Sequence, residues 1–185
     1  MITVKKMSCI SCGIVLVVAC ILAGCNDKGW RAHLTEQLFL FGHRNWIIIA
    51  DWAYPLQSAA GIETINTGEN QIEVLEIVLQ EIEKAPHVKP IILLDAELEM
   101  VADADAPGIA NYKSELKKLL KEKQTNVLPH EEIIAKLDQT AKLFNVLILK
   151  TNMTLPYTSV FLELDCAYWN SEKEKKLREM LEIRN

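Results

Sequence analysis

Glycine and proline are scarce in this sequence, 7 and 6 in 185 residues, which excludes a collagen-like or low-complexity chain. Basic residues are outnumbered, 20 Lys plus Arg against 25 Asp plus Glu, so the basic face that a nucleic-acid partner requires is missing. The apolar run from Ile10 to Ala23 is broken only by Ser11, Cys12 and Gly13 and spans 14 residues. A membrane-spanning helix needs roughly 20. No group of His, Cys and Asp has ligand spacing, so no metal site is expected. Internal repeats are also absent, and no linker separates two cores.

What the N-terminus does contain is an address. Residues 1–24 hold no acid and only two bases, Lys5 and Lys6, ahead of the apolar run. That is the layout of a secretory signal. Leu22-Ala23-Gly24-Cys25 resembles the lipobox of bacterial lipoproteins, where cleavage falls just before a lipid-carrying Cys. We therefore expect a signal peptide over 1–24, a tether over 25–34 and lipid on Cys25, with more than one acyl chain giving durable anchoring in the bacterial cell envelope. An uncleaved anchor with an incidental Cys25 is the other reading. Cys9, Cys12 and Cys20 leave with the signal, so Cys166 alone remains in the domain and no intramolecular disulfide can form. The remaining 161 residues carry 18 Lys plus Arg against 25 acids, a net charge of −7, and are enough for one substantial core.

The pattern along this remainder alternates helix and strand. Leu34, Leu38 and Phe41 space a helix over residues 30–41, with Gly42 as a C-cap. Trp46 to Asp51 and Ile91 to Asp95 are continuous apolar runs ending in a carboxylate, as in strands buried on both faces. Ile72, Leu75, Val78, Leu79 and Ile82 share one helical face between them. Helices are expected over 111–124 and 131–143, and strands over 62–66, 145–150 and 160–164. A charged helix follows over 171–184, with Ser171 as N-cap and Leu177, Met180 and Leu181 on one side. One α/β domain accounts for this order.

In α/β proteins, side chains at the carboxyl ends of strands surround the ligand crevice. Asp51, the loop residues Trp52, Tyr54 and Pro55, Pro129-His130, and Pro156-Tyr157-Thr158-Ser159 fall in or beside such positions, and His43 precedes the first strand. Together they supply imidazoles, a carboxylate, hydroxyls and aromatic faces, the groups a sugar site uses. Singly each has an ordinary reading: His43 as a helix-end cation, His130 as a solvated helix start beside Glu131 and Glu132, Asp51 as a turn former, Tyr157 as a strand aromatic, Trp46 as core.

The order and spacing of these segments resemble the D-ribose pyranase and L-fucose mutarotase family. Gly42-His43, an apolar strand, Asp51 eight residues after the His, and Pro55 resemble its opening motif. Pro129-His130-Glu131-Glu132 resembles its second, and Lys150-Thr151 leading to Pro156-Tyr157-Thr158-Ser159 its last. The resemblance spans residues 35–169 and implies a single three-layer α/β domain with a mainly parallel sheet flanked by helices. Residues 170–185 extend past it.

The same resemblance implies the chemistry. A free aldose, fucose- or ribose-like, would exchange cyclic forms through its open chain, with no cofactor. His43 would be the acid–base residue, since an imidazole can give or take a proton near neutral pH. Asp51 and His130 would bind sugar hydroxyls. Tyr157 and Ser159 would complete the pocket across a subunit boundary in a homo-oligomeric ring. Tyr54, Trp52 and Trp46 are the candidates for an aromatic face, and Tyr54 before Pro55 is similar to the fucose-type branch. The sequence departs from the family at Asn45, where an acid is common, and at Ser159, where Asn is common. Two other functions stay open: a sugar-binding lipoprotein without turnover, and an assembly protein with a vestigial pocket.

Overall fold

Ile47, Ile48 and Ile49 are β-branched and fully buried, which suits an extended strand covered on both faces. The computed structural model describes residues 29–183. In chain order these form α1 (Gly29–Leu40), β1 (Trp46–Ala50), β2 (Ile62–Asn66), α2 (Gln71–Lys84), β3 (Val88–Asp95) and α3 (Glu97–Met100). There follow α4 (Ile109–Leu119), β4 (Thr125–Leu128), α5 (His130–Thr140), β5 (Val146–Lys150), β6 (Val160–Cys166) and α6 (Ser171–Glu182). The six strands make one sheet in the order β2-β5-β1-β6-β3-β4. All run parallel except β6, which is antiparallel to both neighbours, β1 and β3.

Strand alternation divides the core into two layers. Ile47 and Ile49 point to the face covered by α1, α2 and α4, where they meet Leu34, Leu75, Val78 and Ile109. Trp46, Ile48 and Ala50 point to the other face, against Ile133 and Leu137 of α5 and Tyr54 of the β1–β2 loop. This is the expected three-layer α/β domain. The reversal of β6 matters most for function. β5 and β6 lie on either side of β1, so the chain must leave β5, pass over the carboxyl end of β1 and re-enter as β6. Two backbone bonds fasten that crossing to β1 and its loop: Thr151 N–H to Ala50 O at 2.9 Å and Trp52 N–H to Met153 O at 2.7 Å.

Several local expectations change. Helix α1, Gly29–Leu40, matches the helix expected over 30–41, so residues 29–34 of the stretch expected as tether are helical, with Trp30 and Leu34 in the core at 4% and 0% exposure. Gly42 does not take the left-handed conformation of a C-cap; Arg44 does, at φ 73°. Asn70 caps α2 by accepting from Ile72 N–H at 2.8 Å. Asn170 rather than Ser171 caps α6, accepting from Lys173 N–H at 2.9 Å. None of the residues of α6 is buried, and its apolar stripe of Leu177, Met180 and Leu181 is exposed.

Strand β3 is longer than its apolar run and includes Pro90. The proline is tolerated because of its neighbours' bonding. Opposite it, Leu164 spends its N–H on Asn45 O and its carbonyl on Arg44 N–H, both on the β1 side. The missing N–H of Pro90 therefore faces away from β6, towards β4, which pairs only from Ile92 onward. Strand β4 and the short α3 carry too few apolar residues to be read from periodicity.

Candidate active site

Five parallel strands deliver their carboxyl ends to one side of the molecule, and β6 begins there. Asp51 leaves β1 at the middle of that side. Its Oδ1 accepts Ala53 N–H at 2.8 Å, a local turn, and its Oδ2 accepts the Ser159 hydroxyl at 3.0 Å. Ser159 Oγ in return accepts Asp51 N–H at 3.3 Å. The pairing fixes the carboxylate between two strand ends that are 108 residues apart in sequence.

Asp95 ends β3 on the far side of β6. Its side chain is wholly buried, and Oδ1 lies 3.1 Å from His130 Nδ1. Oδ2 has no hydrogen-bond partner among the described residues. Burial is the main reason the Asp95 carboxyl titrates above its ordinary range; the bond to His130 opposes this and the carboxylates of Glu97 and Asp51 add to it. His130 opens α5, where Pro129 is the N-cap. Both carboxylate oxygens of Glu97 accept its backbone N–H, at 3.1 and 3.0 Å. The imidazole is thus held from two sides, by Asp95 on the ring and Glu97 on the main chain. The Tyr157 ring meets it edge-on, with centroids 5.8 Å apart.

Tyr157 is left-handed at φ 56°, an uncommon conformation for a bulky side chain. A buried polar network supports the chain just behind it. Gln71, wholly buried at the start of α2, donates to the Thr158 carbonyl and to Tyr112 Oη, and accepts from Thr151 Oγ1 at 3.3 Å. Tyr112 Oη donates to the same Thr158 carbonyl at 2.6 Å. Thr158 Oγ1 closes the loop on Leu155 O at 2.9 Å. Helices α2 and α4 therefore meet the β5–β6 crossing at the carboxyl end of the sheet and set the backbone that presents Tyr157 and Ser159.

Of the expected residues, Asp51, Tyr54, His130, Tyr157 and Ser159 line one open cavity of about 420 Å³. Asp95 and Gln57 join them, and the sequence reading had assigned neither. Asp95 did have a signal: it ends the run Ile91–Leu94 as Asp51 ends Ile47–Ala50. Tyr54 is 6% exposed and packs edge-on against Phe161, so its ring belongs to the core rather than to an open sugar platform. Burial, then the carboxylates of Asp138, Asp95 and Asp51, raise its phenol above the usual range. Lys150 Nζ pins the Tyr54 carbonyl at 2.7 Å. Trp46 is also core, at 1% exposure. Trp52, 59% exposed, lines a neighbouring hollow that shares Asp51, Ala53 and Pro156 with the cavity.

His43 is placed elsewhere. It precedes β1 while Asp51 follows it, and five strand residues at about 3.3 Å each put about 16 Å between them. His43 is exposed on the turn beside Asn45. Asn45 works structurally: it accepts Gly42 N–H at 2.9 Å and donates to Asn145 O at 3.2 Å, and a carboxylate could not make the second bond. Tyr157 and Ser159 reach Asp51 and His130 within one chain, so no second copy is needed to unite those four. Cys25 lies outside the described residues. Among the described residues no helix is long and apolar enough to cross a membrane, and no cluster of three metal-ligating side chains occurs.

A three-layer α/β protein with a carboxylate- and imidazole-lined cleft at its parallel strand ends is the class these observations define. The chain belongs to the RbsD / FucU transport protein family, whose model matches residues 28–166. Among solved structures, it is similar to Bacillus subtilis RbsD complexed with D-ribose, with TM-score 0.52 and 20% identity over 72% of this chain and 91% of that one. It is similar as well to the fucose mutarotase of Streptococcus pneumoniae in complex with L-fucose, with TM-score 0.50 and 20% identity over 76% and 94%. No curated protein matches the sequence.

Proposed function

We propose that this protein is a cofactor-independent sugar mutarotase or pyranase, exchanging cyclic forms of a free fucose- or ribose-like aldose. The carrying observation is that Asp51 and the Asp95–His130 pair line one cavity whose lining, among the described residues, includes no Lys or Arg. Such a cleft suits a neutral polyol. A phosphorylated sugar would meet carboxylates with no Lys or Arg of the lining to offset them. The names of the two similar structures point the same way, towards ribose and fucose.

In this reading Asp51 holds sugar hydroxyls while Ser159 keeps it aimed, and Tyr157 offers an exposed aromatic edge beside the imidazole. Ring opening needs a base for the anomeric hydroxyl and an acid for the ring oxygen. His43 contributes where a second copy presents the amino-terminal end of its sheet to this cleft, in a homo-oligomeric ring. Magnetisation-exchange NMR with ribose, fucose, galactose and glucose tests the proposal. Faster exchange that falls sharply in Asp51→Asn is expected. Unaccelerated exchange of all four sugars would sink it. Binding without acceleration would favour the second reading, a sugar-binding protein without turnover, which the remote position of His43 supports.

The same reading anchors the chain through lipid on Cys25, at the periplasmic face or cell surface of a bacterial envelope. In its support, the family match begins only at residue 28, after the segment that resembles a signal and lipobox. Intact mass of the membrane-extracted protein should show cleavage before Cys25 and an acyl increment on it. An unmodified Cys25 would end the anchoring proposal.

A further inference from the structure

We propose that Asp95 is a positioning residue that makes His130 a proton-transfer group of the cleft rather than only a contact for sugar hydroxyls; this rests on the mutarotase reading above. Three observations carry it. First, the Asp95 side chain is wholly buried at a strand end, with one oxygen 3.1 Å from His130 Nδ1 and the other unpartnered. A buried carboxyl is costly, and core packing gives no reason to keep one here. Second, the imidazole is one-third exposed, at 32%, and Nδ1 is the nitrogen that faces the buried acid. Nε2 is the nitrogen left for the cleft. Third, Glu97 clamps the His130 main chain through both carboxylate oxygens, and Tyr157 packs against the ring, so the imidazole cannot easily turn away from Asp95.

An acceptor at Nδ1 fixes the tautomer: the proton sits on Nδ1 and Nε2 presents its lone pair. Nε2 then takes the proton of the anomeric hydroxyl. The bond from C1 to the ring oxygen breaks as the C1 carbonyl forms, and its electron pair goes to the ring oxygen. That oxygen takes a proton from His43 of a second copy or from water. Closure on the other face reverses each step, and the imidazolium formed on His130 meanwhile rests beside Asp95. The titratable groups facing the pair are Glu97 from α3, Asp51 from the β1 end, Tyr54 from the β1–β2 loop, Tyr112 from α4 and Tyr157 from the β5–β6 crossing. None of them is a cation that could replace Asp95.

Asp95→Asn in the full-length protein tests this with two readings. The first needs no sugar: 15N spectra of histidine-labelled protein, with His130 assigned from His130→Gln. Wild type should show the Nδ1-protonated tautomer, and D95N should lose that preference, because an amide can donate to Nδ1 as readily as accept from it. The second is anomer exchange, where kcat should fall about 100-fold with KM within about 3-fold. Asp95→Ala gives the same two readings if D95N folds poorly. An unchanged tautomer, or an unchanged kcat in a protein whose wild type is active, overturns the positioning role. A wild type that exchanges no aldose while D95N still loses the tautomer overturns the mutarotase reading and the catalytic half of this one, leaving only the geometric half.

Discussion

A carboxyl group buried at the end of β3 makes a residue-level demand on stability that is separate from activity. Burial raises the Asp95 pKa above its ordinary 3.8, so between that value and the raised one the folded protein holds a proton that the unfolded chain releases. Over that window stability falls as pH rises, and above it the full cost remains. Asp95→Asn removes the titration while keeping the shape. Its melting temperature should exceed that of wild type at pH 7, and the gap should close as pH is lowered towards 4, in scanning calorimetry at several pH values. A gap that widened towards acid would reverse the sign and refute the account. Stabilising a protein while weakening its site is the usual cost of a functional buried charge. At this scale Asp51, His130, Tyr157 and Ser159 were legible because each stands in a short motif at a strand or helix boundary. Asp95 was not, since a single acid after an apolar run reads equally well as a strand terminator. The separation of His43 from Asp51 was legible as well, since the apolar run between them reads as a strand and the structure keeps the two at opposite ends of β1.

Elements show where periodicity suffices and where tertiary bonding takes over. The buried strands and α2 were readable because every turn or alternation carries an apolar residue. Strand β4, with the pattern Thr125-Asn126-Val127-Leu128, and the crossing over β1 are set by partners distant in sequence. Among the side chains that hold the crossing, Gln71 ties α2 to both Thr151 and Thr158. Gln71→Leu keeps the bulk but removes those bonds, so urea unfolding should show a loss of about 1–3 kcal/mol. Sugar affinity should weaken with it, because Ser159 and Tyr157 follow directly from that backbone. Helix α6 is the opposite case. With no buried residue, its removal by a stop after Trp169 should shift the thermal midpoint by no more than about 1 °C, within the range of surface changes. A larger loss would mean that its Leu177, Met180 and Leu181 are covered in solution.

For the whole molecule, the two ends of the sheet carry different halves of the proposed chemistry. Asp51, Asp95, His130, Tyr157 and Ser159 share the carboxyl end, while His43 stands at the amino end with its turn bonded to Leu164 of β6. Among the described residues, the two positive-φ residues other than glycine, Arg44 and Tyr157, lie at these two ends, one at each. A single copy cannot join them. A ring of copies can, because head-to-tail contacts repeat one pairing of unlike surfaces around the closed assembly. This permits a test by complementation between two defective chains. His43→Ala keeps the carboxyl-end site, and His130→Ala keeps the amino-end imidazole, so each alone should fall well below wild type in anomer exchange. Unfolded together in equal amounts and refolded, they should form mixed rings in which about a quarter of the contacts pair an intact His43 with an intact His130. Exchange should recover to about that fraction of wild type. No recovery in mixed rings of verified composition would show that His43 does not act across copies. Proton transfer would then rest with the Asp95–His130 pair within one chain.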